Sequence, residues 1–203
     1  MRKMSFASKS FVLLLSIFAA LGADKEKPFK PGPLESYPCR VTQEKLTIAA
    51  EPFDREQEVK QAFGKLNPNQ YGVLPVLVLV RNDGTGTLML DGMQVEYIAD
   101  SRQKIEATPP RDVAKSGGKK PPKIYPGPIP TRLPGTGSKK SPLDTWEIEG
   151  RAFAAKALPP GESASGFFYF FAPYRPGASL YITGIRESPS QRELFYFEIP
   201  LDK

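Results

Sequence analysis

The chain contains no histidine, and this limits the chemistry that its other reactive residues can perform. Serine and cysteine triads that use histidine, histidine zinc sites and histidine acid–base catalysis are excluded. Cys39 is the single cysteine, so a multi-thiolate metal site is excluded as well. We expect a buried thiol there, with a disulfide between two chains as the alternative.

Two pairs of polar residues have spacings that occur in enzymes. Ser101 and Lys104 form a Ser-x-x-Lys motif, which on a helix places the lysine one turn from the serine, as in some acyl-enzymes. Because the motif lies between strand-like stretches and lacks companion motifs, a Ser/Lys hydrolase is kept only as an alternative. Glu147 and Glu149 would share one face of a strand with Cα atoms roughly 6.5–7 Å apart. Two solvated glutamates explain this pair more simply than a glycosidase carboxylate pair does.

Three glycine-containing stretches resemble functional loops without matching them. Residues 161–166 differ from a nucleophile elbow because the second glycine comes one residue late. Residues 135–141 differ from a phosphate loop because Ser138 follows Gly137 where a lysine is required, and Arg132 occupies the position of the first glycine. Residues 82–84 carry too few acids for a calcium loop, and a turn explains them. We therefore predict a protein that is not an enzyme and that has no cofactor or metal site.

Residues 111–140 carry eight basic side chains and one acidic side chain, whereas the chain outside this segment is richer in acids. Six prolines between 121 and 134 oppose ladder hydrogen bonding and favour an extended conformation. Two interpretations stay open: a solvated tether, or a contact surface for an anionic envelope component, a membrane surface or an acidic protein partner. The residues predicted to form this surface are Lys115, Lys119, Lys120, Lys123, Arg132, Lys139 and Lys140.

The first 22 residues have the pattern of a signal peptide. Basic residues near the start precede an apolar run over 11–21, which is shorter than the roughly 20 residues that span a bilayer. We expect cleavage after Gly22, with Ala23 as the next candidate and an uncleaved anchor as the alternative. The predicted location is exported, periplasmic or extracellular, and export disfavours nucleic acid as a partner.

The fold is organised around the stretch that begins at Gly166, because five consecutive aromatic residues follow it. In a strand, Phe168 and Phe170 point to one face. The other face then receives Phe167, Tyr169 and Phe171. Both faces need cover, so we predict a sheet packed on a second sheet or a flap that the rest of the chain supplies.

The remaining pattern predicts short strands joined by turns, in keeping with 22 prolines and 17 glycines. After a flexible lead-in over 23–38, residues 39–203 are expected to form one domain. A helix is predicted over 54–63, with Asp54 as its N-cap, Gly64 as its end, and an apolar face that docks on a sheet. That face consists of Val59, Ala62 and Phe63.

The predicted strands follow in short succession. They include a buried strand at 76–80, a second at 87–90 after a tight turn, and a third at 93–98 that pairs with 104–107. Residues 146–149 alternate like a strand, and we predict a short helix over 151–157 before the aromatic strand. The C-terminal segments 179–185 and 193–199 predict a hairpin, with an apolar face that consists of Phe195, Phe197 and Ile199.

Several motifs together resemble uncharacterised exported bacterial proteins with an immunoglobulin-like β-sandwich. The motifs are Ala62-Phe63-Gly64-Lys65, Asn67-Pro68, Gly72-Val73-Leu74-Pro75-Val76, Leu158-Pro159-Pro160-Gly161-Glu162-Ser163 and Gly166-Phe167-Phe168-Tyr169-Phe170. The resemblance implies an envelope location and carries no catalytic residue, and the basic segment lies outside it.

The combined prediction is a mainly β protein. It is an immunoglobulin-like antiparallel β-sandwich with one or two short helices and the long Pro/Lys-rich insertion 111–140. The favoured function is a non-catalytic exported binding or assembly module of the cell envelope. A purely structural sandwich domain with an inert tether is the second alternative, beside the hydrolase.

Overall fold

The structure is a computed structural model that describes residues 29–99, 103–116, 141–143 and 146–202. Within these ranges the chain forms three α-helices and eleven β-strands. The helices are α1 (Glu56–Phe63), α2 (Pro110–Ser116) and α3 (Trp146–Gly150). The strands are β1 (Arg40–Gln43), β2 (Leu46–Pro52), β3 (Leu74–Asn82), β4 (Thr87–Met89), β5 (Gln94–Ile98), β6 (Lys104–Glu106), β7 (Ala157–Leu158), β8 (Ser163–Phe170), β9 (Ser179–Thr183), β10 (Arg186–Ser188) and β11 (Phe197–Pro200).

The strands form three antiparallel sheets. The first sheet has the order β1-β2-β3-β8, the second has β11-β9-β5-β6, and a small sheet has β10-β4-β7. Side chains from all three sheets share one buried cluster, so the first sheet packs face to face against the other two. This arrangement confirms the predicted antiparallel β-sandwich, whereas the immunoglobulin-like assignment stays a prediction.

The aromatic strand β8 buries side chains on both faces, as its alternation predicts. Phe170 and the half-buried Phe168 pack into the cluster between the sheets. The opposite face of β8 packs into a second cluster, under the helices. Its three members there are Phe167, Tyr169 and Phe171. The first sheet is therefore the middle layer of three.

The helical layer is built from segments that are far apart in sequence. Val59 of α1, Val113 of α2 and Ile148 of α3 are all buried in the second cluster. The hydroxyl of Tyr169 donates a hydrogen bond of 2.8 Å to the carbonyl of Ile148, which ties α3 to β8. Burial raises the pKa of Tyr169, so this hydroxyl stays a donor across the physiological pH range.

The predicted helix at 54–63 is present, but its first turn differs from the prediction. The helix begins at Glu56, its N-cap is Arg55, and no side chain caps it, so Asp54 is not the N-cap. Gly64 ends the helix with a φ of 62°, a conformation that glycine adopts without steric cost. The predicted face of Val59, Ala62 and Phe63 is buried, which confirms the docking of this helix.

The strand after the tight turn at the end of β3 does not form a hairpin with β3. β4 pairs with β10 and β7 instead of returning along β3. The buried side-chain amide of Asn82 donates to the carbonyls of Gly86 and Leu158, at 2.8 and 2.9 Å. These two bonds hold the chain on a path that leaves the first sheet, so β4 joins the small sheet. By contrast, the predicted pairing of β5 with β6 is confirmed.

The region before β8 also differs from the prediction. The helix lies at Trp146–Gly150, where the sequence alternates like a strand, and the helix predicted over 151–157 is absent. Residues 151–153 instead run along the edge of β8. The N–H of Phe167 donates to the carbonyl of Arg151 at 2.9 Å, and the N–H of Phe153 donates to the carbonyl of Phe167 at 3.0 Å. Gly166 allows this approach, because a Cβ there would lie 2.4 Å from Cα of Phe153.

Both ends of the described chain depart in part from expectation. Leu34 and Tyr37 are buried, so residues 29–38 pack on the core, whereas the composition of 23–38 predicts a flexible lead-in. β9 and β11 pair as predicted, but the connection between them contains β10. Phe195 is 75% exposed, because β11 begins only at Phe197 and the predicted apolar face does not extend back to residue 195.

Candidate functional site

The predicted basic surface falls mostly outside the described residues. Lys115 is exposed near the end of α2. The other six predicted members, Lys119, Lys120, Lys123, Arg132, Lys139 and Lys140, are outside the described ranges, as are the signal peptide 1–22 and Ser101. The structure therefore locates the start of the basic segment on the helical layer. It also shows that residues 111–116 are helical, whereas the prolines for which an extended conformation is predicted lie outside the described ranges.

The described residues on either side of the basic segment are firmly anchored. Val113 lies near the start of the segment and is fully buried, and Leu143 and Ile148 follow its end and are fully buried too. All three belong to the cluster under the helices, in which α2 and α3 pack against each other. Both ends of the segment are thus fixed to one side of the sandwich.

The structure does not support Lys104 as a catalytic base. Lys104 lies in β6, not on a helix, and its Nζ atom is 2.9 Å from Oε2 of Glu96. This hydrogen bond raises the pKa of Lys104, whereas a lysine that acts as a base needs a lowered pKa. Ser101 lies outside the described residues, so the hydrolase alternative stays untested.

The second candidate pair, Glu147 and Glu149, is not arranged as the alternation suggested. Both lie in α3, where residues two apart point away from each other. The expected placement on one face of a strand is therefore wrong. Within the part of the chain that the structure describes, no group of three potential metal ligands occurs either.

The edge of the sandwich between β8 and the β5–β6 pair opens into a groove of about 340 Å³. Phe153 and Phe168 line it, stacked with ring centroids 5.3 Å apart and planes inclined by 22°. Val95 and Met93 contribute further apolar surface from the second sheet. The segment 151–153 and Gly166 thus create this groove, since they bring Phe153 onto the β8 edge.

The two acidic residues that border the groove belong to β5 and β6. Glu96 and Glu106 are directly opposite each other on β5 and β6, and both line the groove. Lys104 pairs with Glu96 but lies outside the lining, and none of the described lining residues is basic. Because Val95 and Tyr97 of β5 are buried between the sheets, the side chains of Glu96 and Glu106 point to the outer face of the second sheet.

A second surface presents aromatic side chains to solvent near the β1–β2 turn. Phe195 is 75% exposed and Tyr196 is 53% exposed. A carboxylate oxygen of Glu44 accepts the N–H of Phe195 at 2.8 Å, and Glu44 also forms an ion pair with Arg192. The backbone hydrogen bond, together with Arg192, lowers the pKa of Glu44. The ring of Tyr196 stacks on Tyr181, with centroids 5.0 Å apart.

Cys39 is buried, as predicted from its isolation in the sequence. Its Sγ atom lies 2.8 Å from the carbonyl oxygen of Asp202, so the thiol ties the strand region near β1 to the C-terminal segment. This position supports a role in packing rather than in redox chemistry.

Sequence reasoning did not find the groove. Its walls come from β5, from the residues after β6, from 151–153 and from β8, and no pattern in the sequence joins these four segments. The one signal in the sequence is Phe168, whose side chain is half-buried and lines the groove.

None of the helices among the described residues combines the length and apolar character needed to cross a membrane. No protein-family model matches the sequence, and no curated protein matches it.

Solved structures share weak similarity with this chain. The yjhA protein from Bacillus subtilis is 10% identical with a TM-score of 0.38, over 82% of this chain and 98% of that protein. A functionally unknown protein from Listeria monocytogenes EGD-e is 13% identical with a TM-score of 0.37, over 80% of each chain. MPT63, a secreted protein from Mycobacterium tuberculosis, is 11% identical with a TM-score of 0.33, over 85% of this chain and 98% of that protein. Similarity at this level assigns neither family nor function.

Proposed function

We propose that this chain is a non-catalytic, exported binding or assembly module of the cell envelope, and that its basic segment contacts an anionic partner. The observation that carries the proposal is the anchoring of the segment: Val113 near its start and Leu143 just after its end are both buried. Both anchors belong to the cluster under the helices, on one side of the sandwich.

The charge distribution supports an anionic partner. Residues 117–140 contain six basic side chains and no acid, and Lys115 adds one more positive charge at the end of α2. Concentrated charge of one sign raises the local concentration of oppositely charged partners and speeds association. Anionic lipid head groups and anionic polymers of the envelope both have the required charge.

The N-terminal pattern supports export. Its basic start and its apolar run over 11–21 are typical of a signal peptide, as described above. The exposed pair Phe195 and Tyr196 is a further feature that suits a binding protein, because aromatic residues are enriched where proteins meet their partners. The carboxylate of Glu44 accepts the N–H of Phe195, and the ring of Tyr196 stacks on Tyr181.

Co-sedimentation tests the proposal. The mature chain and a variant in which a Gly/Ser linker replaces residues 117–140 are mixed with envelope fractions at low and high salt. We expect the intact chain to sediment at low salt and to be released at high salt. The distance over which charges interact is only about 8–10 Å at 0.10–0.15 M, and it shortens further as salt is added. The variant should stay in the supernatant at both salt concentrations.

Circular dichroism and thermal unfolding of the linker variant provide the control, since the variant must fold for the comparison to be valid. Equal sedimentation of the two forms would favour the alternative of a structural domain with an inert tether. For the hydrolase alternative, Ser101→Ala in an ester-hydrolysis assay is decisive, because undiminished activity would remove Ser101 from the mechanism.

A further inference from the structure

We infer that Arg151 and Trp146, on the helical side of the sandwich, bind a small carboxylate that carries an aromatic ring. The inference does not rest on the proposed envelope contact, because neither residue belongs to the basic segment 111–140. Two features define the ligand: a guanidinium group without a partner selects its charge, and an exposed indole ring selects its body.

Arg151 is a half-buried arginine whose charge has no partner among the described residues. No carboxylate there forms an ion pair with it, Glu147 and Glu149 of α3 included. Its Nε atom is buried without a hydrogen-bond partner, whereas its two Nη atoms remain accessible to solvent. The half-buried Arg81 and Arg186, by contrast, both pair with carboxylates. A carboxylate that reaches Arg151 therefore meets N–H donors for which no described group competes.

The guanidinium group of Arg151 is held in place before any ligand arrives. Its Cζ atom lies 5.0 Å from the ring centroid of Trp146 and 6.0 Å from that of Phe63. The carbonyl of Arg151 accepts the N–H of Phe167 at 2.9 Å, which fixes its backbone to the edge of β8. Phe63 is fully buried, so the guanidinium group borders an apolar interior, where hydrogen bonds to a charged group are stronger than in water. An anion thus gains a preorganised and partly dehydrated partner.

The indole ring of Trp146 selects the body of the ligand. Its side chain is 58% exposed, although it lies against Arg151. The ring also packs beside Gly150, where an added Cβ would lie 3.2 Å from Cε3 of Trp146. The indole therefore presents an apolar surface next to the accessible Nη atoms. A second aromatic ring packs on such a surface in an offset or edge-to-face arrangement, so a ring joined to the carboxylate by a short linker suits the site.

Three matched probes separate charge from ring. We would titrate the mature chain with 3-phenylpropionate, with its neutral amide 3-phenylpropionamide, and with propionate, which keeps the charge and lacks the ring. Trp146 is the single tryptophan, so its fluorescence reports binding at this site, and backbone amide shifts locate it. We expect 3-phenylpropionate to bind about tenfold more tightly than either of the other two at low salt, with the largest amide shifts at residues 146–151.

Variants of Arg151 locate the source of the preference. Arg151→Met keeps an unbranched side chain and removes the charge, so the affinity for 3-phenylpropionate should fall about tenfold, to that of the amide. Arg151→Lys keeps the charge but loses the planar donor pair, and the affinity should fall by about threefold or more. The control is Arg175→Gln, which removes an exposed arginine whose N–H bonds to Tyr97 on the strand side, and it should bind like the parent chain. Circular dichroism checks that each variant folds.

Four results would overturn the inference. Equal affinities for the acid and its amide would mean that the site does not select charge, and equal affinities for the acid and propionate would mean that Trp146 does not contribute. Unchanged affinity in the Arg151 variants would place the anion elsewhere. Binding that is lost when a linker replaces residues 117–140 would assign it to the basic segment. Envelope sedimentation of Arg151→Met should equal that of the parent chain, so failure here is distinguishable from failure of the proposed function.

Discussion

The first sheet buries both of its faces, but different kinds of structure cover the two sides. One side packs against strands of the second and small sheets, with Phe170 of β8 at its centre. The other side packs under three short helices and the residues around Leu34, with Phe167 and Tyr169 as the contacts from β8. One aromatic strand therefore contributes to two hydrophobic cores, one between the sheets and one under the helices.

The two sides also carry different candidate sites. The helical side anchors the basic segment through Val113 and Leu143, and the edge of the strand side opens into the groove at Phe168. If the helical side anchors the basic segment, its buried residues must stabilise the fold as much as those between the sheets do. The following variants test this, in order of decreasing expected effect.

The largest expected effect comes from removing one ring on either side of β8. Phe170→Ala and Phe167→Ala should each lower the free energy of unfolding by about 3–5 kcal/mol, because both side chains are nearly fully buried. Urea unfolding followed by circular dichroism measures both values. A loss below about 1 kcal/mol for Phe167→Ala alone would show that the helical layer is a loose attachment rather than a second core.

Ile148 tests the contribution of α3 by itself. Its side chain is fully buried, so Ile148→Ala should cost about 2–5 kcal/mol. The matched control is Glu149→Ala, at the exposed neighbouring position, which should change stability by less than about 0.5 kcal/mol. Equal effects of the two variants in urea unfolding would contradict the described burial of α3.

Gly166 tests the close approach that creates the groove. In Gly166→Ala the new Cβ would lie 2.4 Å from Cα of Phe153, so the segment 151–153 must shift and stability should fall by about 1–3 kcal/mol. Ser165→Ala, at the exposed preceding position, is the control and should be nearly neutral. Amide exchange at Phe153 should accelerate in Gly166→Ala, and unchanged protection would argue against the hydrogen bond to Phe167.

The smallest expected effect concerns Glu44, whose carboxylate accepts the N–H of the exposed Phe195. Its pKa lies below the ordinary value of 4.5, so the carboxylate stabilises the fold above that pH and this contribution disappears as the pH falls through the lowered pKa. Glu44→Gln should therefore be less stable than the parent by up to about 1 kcal/mol at pH 7, with no difference near pH 2. A difference that persists at pH 2 in thermal unfolding would have another cause.

The sandwich and the two faces of β8 could be predicted from the sequence, because alternation in a strand is a geometric necessity. The position of α3 could not. Alanines at 152, 154 and 155 favour a helix only weakly, and the backbone of 151–153 instead forms hydrogen bonds with the edge of β8. The same long-range pairing brings Phe153 to the groove, so a prediction that misses this pairing also misses the groove.

The remaining errors have similar causes. The path from β3 to β4 depends on the buried amide of Asn82, whose partner Leu158 is distant in sequence. The exposure of Phe195 depends on where β11 begins and on a carboxylate from the β1–β2 turn. Local pattern could not reveal either contact. The residues of the predicted basic surface beyond Lys115 lie outside the described ranges, so that prediction stays open.

The central claim is that the basic segment, rather than the overall charge of the chain, makes the contact with an anionic partner. The most direct test compares two variants of equal net charge by titration with anionic and neutral phospholipid vesicles. One variant replaces the six basic residues of 117–140 with glutamine. The other replaces six exposed basic residues elsewhere in the described chain, Lys30, Lys45, Lys60, Lys65, Lys156 and Arg175, with glutamine. We predict that only the first variant loses affinity for anionic vesicles, by more than about tenfold at low salt. Equal losses in the two variants would contradict the account, because they would show that net charge alone drives binding.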